Sequence, residues 1–145
     1  MIETGALITG MSNKDVADYL LTAGLAEMRG VVFLDESDRQ MVLLRQGRKV
    51  VKLSESGLGW NERFTFYDQV RQNGIVNLLT NATQVHTTGM DIKQSVDACA
   101  ALTLGKDMVF RDYAQGAFRM RGIGKGQTIC LLVVPEINDK IITQV

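Results

Sequence analysis

The chain predicts an α/β layer fold with a largely parallel sheet, and three features carry that expectation. Segments with strand signals alternate with segments of helical periodicity. Two strand segments, "GVVFLD" (30–35) and "QTICLLVVPE" (127–136), are apolar on both faces, the pattern of strands covered from both sides. With 145 residues, 46% hydrophobic and 22% charged, the chain suits one packed domain rather than two domains or a disordered segment.

Each element has its own signal. Residues 6–9 form a short apolar run that reads as a strand. In "SNKDVADYLLTAG" Ser12 can cap a helix, and Asp15 three places later completes a capping box. Val16, Tyr19, Leu20 and Ala23 recur at helical spacing, and Gly24 suits a left-handed stop. Residues 30–35 give a buried strand. Residues 41–44 and 49–53 read as a hairpin around "RQGR", and residues 64–67 as an aromatic-rich strand. "DACAALTLG" (97–105) holds another strand. "FRDYAQGAFRMRGIGKGQ" reads as a helix that stops in a glycine-rich loop. Gly116 inside that helix costs about 1 kcal/mol relative to Ala, which asks for a close-packing or functional reason. "QTICLLVVPE" is the strongest strand, expected to be central, and Pro135 ends it.

Bulk properties narrow the function classes. Sixteen basic residues balance sixteen acidic ones, which argues against strong sequence-blind binding to nucleic acid and leaves room for a local basic patch. Cys99 and Cys130 have no framework spacing, so a reducing, intracellular setting (cytoplasmic or nuclear) is expected. No stretch approaches about 18 consecutive apolar residues, so no membrane association is expected. The start, "MIETGALITG", has neither the basic lead nor the long apolar run of a signal peptide.

In open α/β sheets ligands bind at the carboxyl ends of strands, and two segments are expected to act at such an edge. In "HTTGMDIKQ" the small residues around Gly89 let backbone approach a phosphate, and Asp91 can bond a ribose or order a neighbouring loop. In "QGAFRMRG" Gln115 and Arg119 are four apart and would share one helical face. An arginine there can meet a γ-phosphate, where charge develops during hydrolysis.

These residues carry a resemblance. "GMDIK" resembles the GxDI element, the fifth conserved motif of helicase-type and SecA-type ATPases. "QGAFRMR" resembles their sixth motif, Gln-x-x-Gly-Arg-x-x-Arg, and "GVVFLD" the strand of the fourth. The order matches the second RecA-like lobe of such motors, a three-layer lobe with a mostly parallel sheet. A longer resemblance, from "ETGALITG" to "VVPE", is to the C-terminal region of a family of very large eukaryotic proteins often catalogued as ubiquitin thioesterases (ubiquitinyl hydrolases). That region reads much like "GVVFLD…RFTFYDQ…VHTTGMDIKQ…FRDYAQGAFRMRGIGKGQTI".

The resemblance implies one RecA-like lobe over residues 1–145, a fragment whose upstream lobe supplies the phosphate loop and the Mg²⁺ ligands. ATP with Mg²⁺ would lie between the lobes, with Gly89 and Asp91 toward the ribose or interlobe contacts and Gln115 and Arg119 toward the triphosphate. The substrate moved would be RNA, DNA or protein, and the lobe alone is expected to show no turnover. One departure matters. The motif places its second arginine where this chain has Gly122, and Arg121 comes one place early. Arg121 would sit about 120° from Gln115 unless the helix ends first. Arg119 is therefore the preferred phosphate sensor, with Arg121 and Lys125 as further candidates. Competing readings are a cysteine-type ubiquitin hydrolase and a non-catalytic interaction module.

Residues 70–84 interrupt the family phrase. Deleting these fifteen residues joins "FTFYDQ" to "VHTTGMDIKQ". A valine codon begins GT, a glutamine codon can be CAG, and Thr80-Asn81 can be written ACT-AAC. That is the layout of a retained short intron. The alternative is an ordinary surface-loop insertion.

Other motifs have plainer readings. "FLDESD" resembles a Walker B strand, but no phosphate loop precedes it. "GIGKGQT" imitates a phosphate loop, but Gln127 stands where Ser or Thr is needed and a strand follows. His86, Asp91 and Cys99 can be drawn as a thiol-protease triad, although an apolar strand usually buries an inert thiol. One His and two separated Cys make a poor zinc set. Trp60, in "SGLGWNERF", is a candidate docking residue or a sign of loose packing.

Overall fold

The structure, a computed structural model, describes residues 1–5, 7–68, 92–106 and 108–143. The chain is α/β, and it groups into two compact units, Gly10–Ser95 and a second made of Met1–Thr9 with Val96–Val145. Residues 70–84, expected from the sequence to be an insertion or retained intron, lie outside the described residues, as do Gly89, Asp91 and His86.

The first unit begins with α1 (Asn13–Ala23). The capping box forms: the Asp15 amide donates to Ser12 Oγ at 3.1 Å, and the Ser12 amide donates to Asp15 Oδ2 at 3.2 Å. The buried face is Val16, Ala17 and Leu21, so the expected stripe is rotated. Tyr19 is 62% exposed. Gly24 is extended (φ −172°), and the left-handed residue is Leu25 (φ 55°). A cation ends the helix instead of a glycine. The Arg45 guanidinium donates to the carbonyls of Leu21, Gly24, Leu25 and Met28 at 2.7–3.1 Å, meeting groups that a helix C-terminus leaves unpaired.

Its sheet runs β3-β2-β1-β4, from β1 (Gly30–Leu34), β2 (Gln40–Leu44), β3 (Val50–Lys52) and β4 (Arg63–Thr65). All of β1 is buried, as its apolar run requires, and the hairpin of β2 and β3 forms with Met41 opposite Lys52. The expectation of a largely parallel sheet is corrected here. Only β1–β4 is parallel, because the links β1–β2 and β2–β3 are too short for a crossover. Asp35 closes the first link. Its carboxylate accepts the amides of Ser37 and Arg39, both at 2.9 Å, and Arg39 Nε at 2.7 Å. The chain leaves after residue 68 and returns at 92 to the same place. The Ile92 amide donates to the Tyr67 hydroxyl at 3.0 Å, that hydroxyl donates to the Ile92 carbonyl, and Gln94 bonds Thr65.

The second unit holds β5 (Cys99–Leu104), α2 (Phe110–Ala117), β6 (Thr128–Val133) and α3 (Pro135–Thr143). Strands β5 and β6 are parallel, with Cys99 opposite Thr128 and Ala101 opposite Cys130. Of the strand expected at 6–9, only residues 7–9 are described. Residues 7–9 are not in a strand, and Ile2 bridges Leu102 in parallel instead. Buried polar atoms explain the choice. Glu3 Oε1 accepts the Thr103 hydroxyl at 2.8 Å and the amides of Gly5 and Leu7, while the Thr4 hydroxyl donates to the Thr103 carbonyl. Strand β6, expected to be central, is exposed or half-buried throughout, since among the described residues only β5 pairs with it.

Gly116 has a packing reason. A methyl group there would collide with Thr4 Cγ2 and lie 3.3 Å from Leu102 Cδ1. Thr4 is 1% exposed and held through its hydroxyl, so it cannot turn aside. Gly116→Ala should therefore destabilise this unit by about 1–2 kcal/mol, overpacking outweighing the helix-propensity gain. Adding Thr4→Ser, which removes the methyl and keeps the hydroxyl, should recover most of the loss in a urea-denaturation double-mutant cycle followed by far-UV circular dichroism.

Three carboxylates of the first unit titrate low. The Ser12 hydroxyl and amide hold Asp15 down, and Arg29 and the Gly59 amide do the same for Glu62. Burial pushes Asp35 up, but its hydrogen bonds from Arg39 and Ser37 outweigh this and leave it low. Folded values below unfolded ones mean stability that is present above the unfolded pKa of about 4 and lost as pH falls through the folded values. Urea midpoints read by Trp60, the only tryptophan, should be level down to about pH 5 and fall below about pH 4. Asp35→Asn should make that fall shallower.

Candidate functional site

The candidate segment is the turn and loop that carry α2 into β6. Helix α2 ends at Ala117, and a tight turn follows: the Arg119 amide donates to the Gly116 carbonyl at 3.1 Å and the Met120 amide to Ala117 at 2.9 Å. Gln115 is therefore on the helix and exposed, while Arg119 lies beyond it and is half-buried. The expected sharing of one helical face does not hold, because the helix stops two residues before Arg119. The same early stop removes the helical offset expected for Arg121, which is exposed, as is Lys125.

After the turn the backbone closes into a ring. The Gly122 carbonyl accepts the amides of Lys125 (2.9 Å) and Gln127 (3.2 Å), and the Gly122 amide donates to Gln127 Oε1 at 2.7 Å. Gly126 has φ 118°, and a Cβ there would sit 2.6 Å from the Val96 carbonyl, so only glycine fits. Met120 and Gln127 anchor the ring in the core at 4% and 8% exposure. Gln127 was legible only as the residue that spoils a phosphate-loop pattern. Its function as the lock of the loop depends on its side chain folding back across five residues, which no sequence pattern announces.

Residues 113–135 contain no acid, so Arg119, Arg121 and Lys125 supply all their formal charge. This patch does not sit at the carboxyl edge of the strands, where it was expected. Helix α2 returns the chain to the start of β6, and the Thr128 amide donates to the Ala98 carbonyl just before β5. The cations thus lie at the amino ends of the parallel pair. The carboxyl ends hold the Glu3–Thr4–Thr103 cluster, whose bonds tie the first residues to β5. Of the other sequence candidates, Gly89 and Asp91 fall outside the described residues.

The remaining motifs resolve as follows. Both oxygens of Asp35 are engaged in the hairpin turn, so "FLDESD" serves the β1–β2 link. Cys99 is exposed, not buried as its apolar strand suggested, because its side of β5 is the one turned away from α2. Trp60 is 49% exposed and stacks on the Arg63 guanidinium, 5.4 Å from the ring centre. Among the described residues no group of three or more His, Cys, Asp and Glu side chains could hold a metal ion.

No protein-family model, curated protein or solved structure matches the chain.

The lock is open to test. Gln127→Ala removes the partner of the half-buried Gly122 amide, a loss of about 1 kcal/mol. Amide hydrogen exchange across residues 121–127 should accelerate while the amides of β5 keep their protection.

Proposed function

We propose that this chain is the second, three-layer RecA-like lobe of a helicase-related ATPase, and that it brings cations to a nucleotide held mainly by another lobe. The observation that carries the reading is the hydrogen-bonded glycine ring, with Arg119 and Arg121 just before it and Lys125 within it, in an acid-free segment. A preorganised cation needs no rearrangement when charge builds on a transferring phosphoryl group, and this is where an arginine contributes most. The polar groups at the carboxyl end of β5 and at Glu3 and Thr4 beside it are spent on the fold. A lobe so built suits a site completed from outside better than a nucleotide site of its own.

In that site Arg119 would approach the γ-phosphate, with Gln115 and Arg121 beside it, and Lys125 would add to the local field. Gly89 and Asp91 would face the ribose or the opposing lobe. ATP brings its Mg²⁺ with ligands from the partner lobe, and the metal neutralises phosphate charge. The cargo would be RNA, DNA or protein. The exposure of Cys99 favours a second reading, a cysteine-type ubiquitin hydrolase with Cys99 as nucleophile.

The readings separate in the longer protein that carries the phosphate loop. Arg119→Ala should lower kcat for ATP by about a thousandfold, the range of a lost arginine finger, with little change in KM. Cys99→Ala should leave ATP turnover intact. Unchanged ATPase after Arg119→Ala would remove the first reading, and ubiquitin hydrolysis abolished by Cys99→Ala would establish the second.

A further inference from the structure

Strands β5 and β6 bring together two thiols that are 31 positions apart in the chain. In a parallel pair, residues in register point to the same face, and alternate residues share it. Cys99 is opposite Thr128 and Cys130 is opposite Ala101, so all four lie on one face. Leu102 points the other way, toward α2, since it lies beside Gly116. The face of the cysteines is thus the one α2 leaves uncovered, and both thiols are exposed.

The four residues form a rectangle. The cysteines occupy one diagonal, and the small side chains of Ala101 and Thr128 occupy the other. Two residues along a strand and one strand across separate the cysteine Cα atoms by about 8 Å. That exceeds the range of about 4.4–6.8 Å for a disulfide. It matches two side chains that lean inward on one ion, since metal–thiolate bonds of about 2.3 Å set two sulfurs up to about 4.6 Å apart. Because Ala101 and Thr128 are small, the middle of the rectangle is not filled by a bulky side chain. A third soft donor is near: Ile2 bridges Leu102, which puts Met1 in register with Ala101 on the same face.

We propose that Cys99 and Cys130 form a binding site for a soft monovalent metal ion of the Cu(I) class, with the Met1 thioether beside it. Thiolate and thioether ligands in low number select such ions over Zn²⁺ or Mg²⁺, which need more or harder donors. Binding forms two metal–sulfur bonds and releases one proton from each thiol to solvent. No electron is transferred, and the site stands independently of the ATPase reading.

The test is an anaerobic titration of the full chain with Cu(I), with bicinchoninate as coloured competitor. The wild-type chain should withdraw one equivalent. Cys99→Ser and Cys130→Ser, both surface changes, should each weaken binding at least tenfold with far-UV circular dichroism unchanged. Ala101→Leu should block the metal by filling the space between the thiols, while both thiols still react with a maleimide. The proposal fails if either serine variant binds as the wild type does, if the wild type takes no copper, or if it takes two equivalents through independent thiols.

Discussion

The approach of α2 to the sheet at Gly116 is the contact on which the second unit depends. The helix axis can come close only because that position lacks a Cβ, and the space is filled by Leu102 of β5 and by Ile2 and Thr4 of the first residues. Thr4 cannot yield, because its hydroxyl and amide are bound to Thr103, and Glu3 next to it is bound to the Thr103 hydroxyl. A helix interior tolerates glycine poorly, so the cost in helix propensity is accepted for a tight layer.

Each unit spends buried polar groups on ties between residues far apart in sequence. Glu3 and Thr103 are 100 residues apart, Arg45 reaches 24 residues back to Leu21, and Tyr67 holds Ile92. Such bonds add modest net stability when made and cost more when one partner is lost, so they specify which segments pair rather than simply adding energy. They also sort the polar residues. Glu3, Thr4, Thr103, Asp35 and Gln127 are bonded within the fold, and the exposed residues of the locked loop include Lys125 and Arg121.

Much of the fold was legible because its signals are local. The capping box of Ser12 and Asp15, the buried run of β1, the hairpin of β2 and β3, and the helix containing Gly116 each follow from spacing within a few residues. The candidate residues Arg119, Arg121 and Lys125 were visible as a motif likeness in a glycine-rich segment. Their arrangement was not, because helix α2 ends at Ala117 through a turn that no residue in "GAFRMR" signals.

By itself, then, the amino-acid order determined α1 and its start, the strands β1, β2, β3, β5 and β6, the helix α2, and that a cationic glycine loop precedes β6. It did not announce α3, and it suggested a strand near the start that residues 7–9 do not form. Periodicity and capping act over one or two turns of chain and need no partner. Only the tertiary structure decided which face of α1 is buried, that the β1 sheet is mixed, that β6 lies open, that the cations sit at the amino ends of the strands, and that Cys99 and Cys130 share a face. Those outcomes depend on register and on what packs against each element, and these are set by contacts between residues distant in the chain.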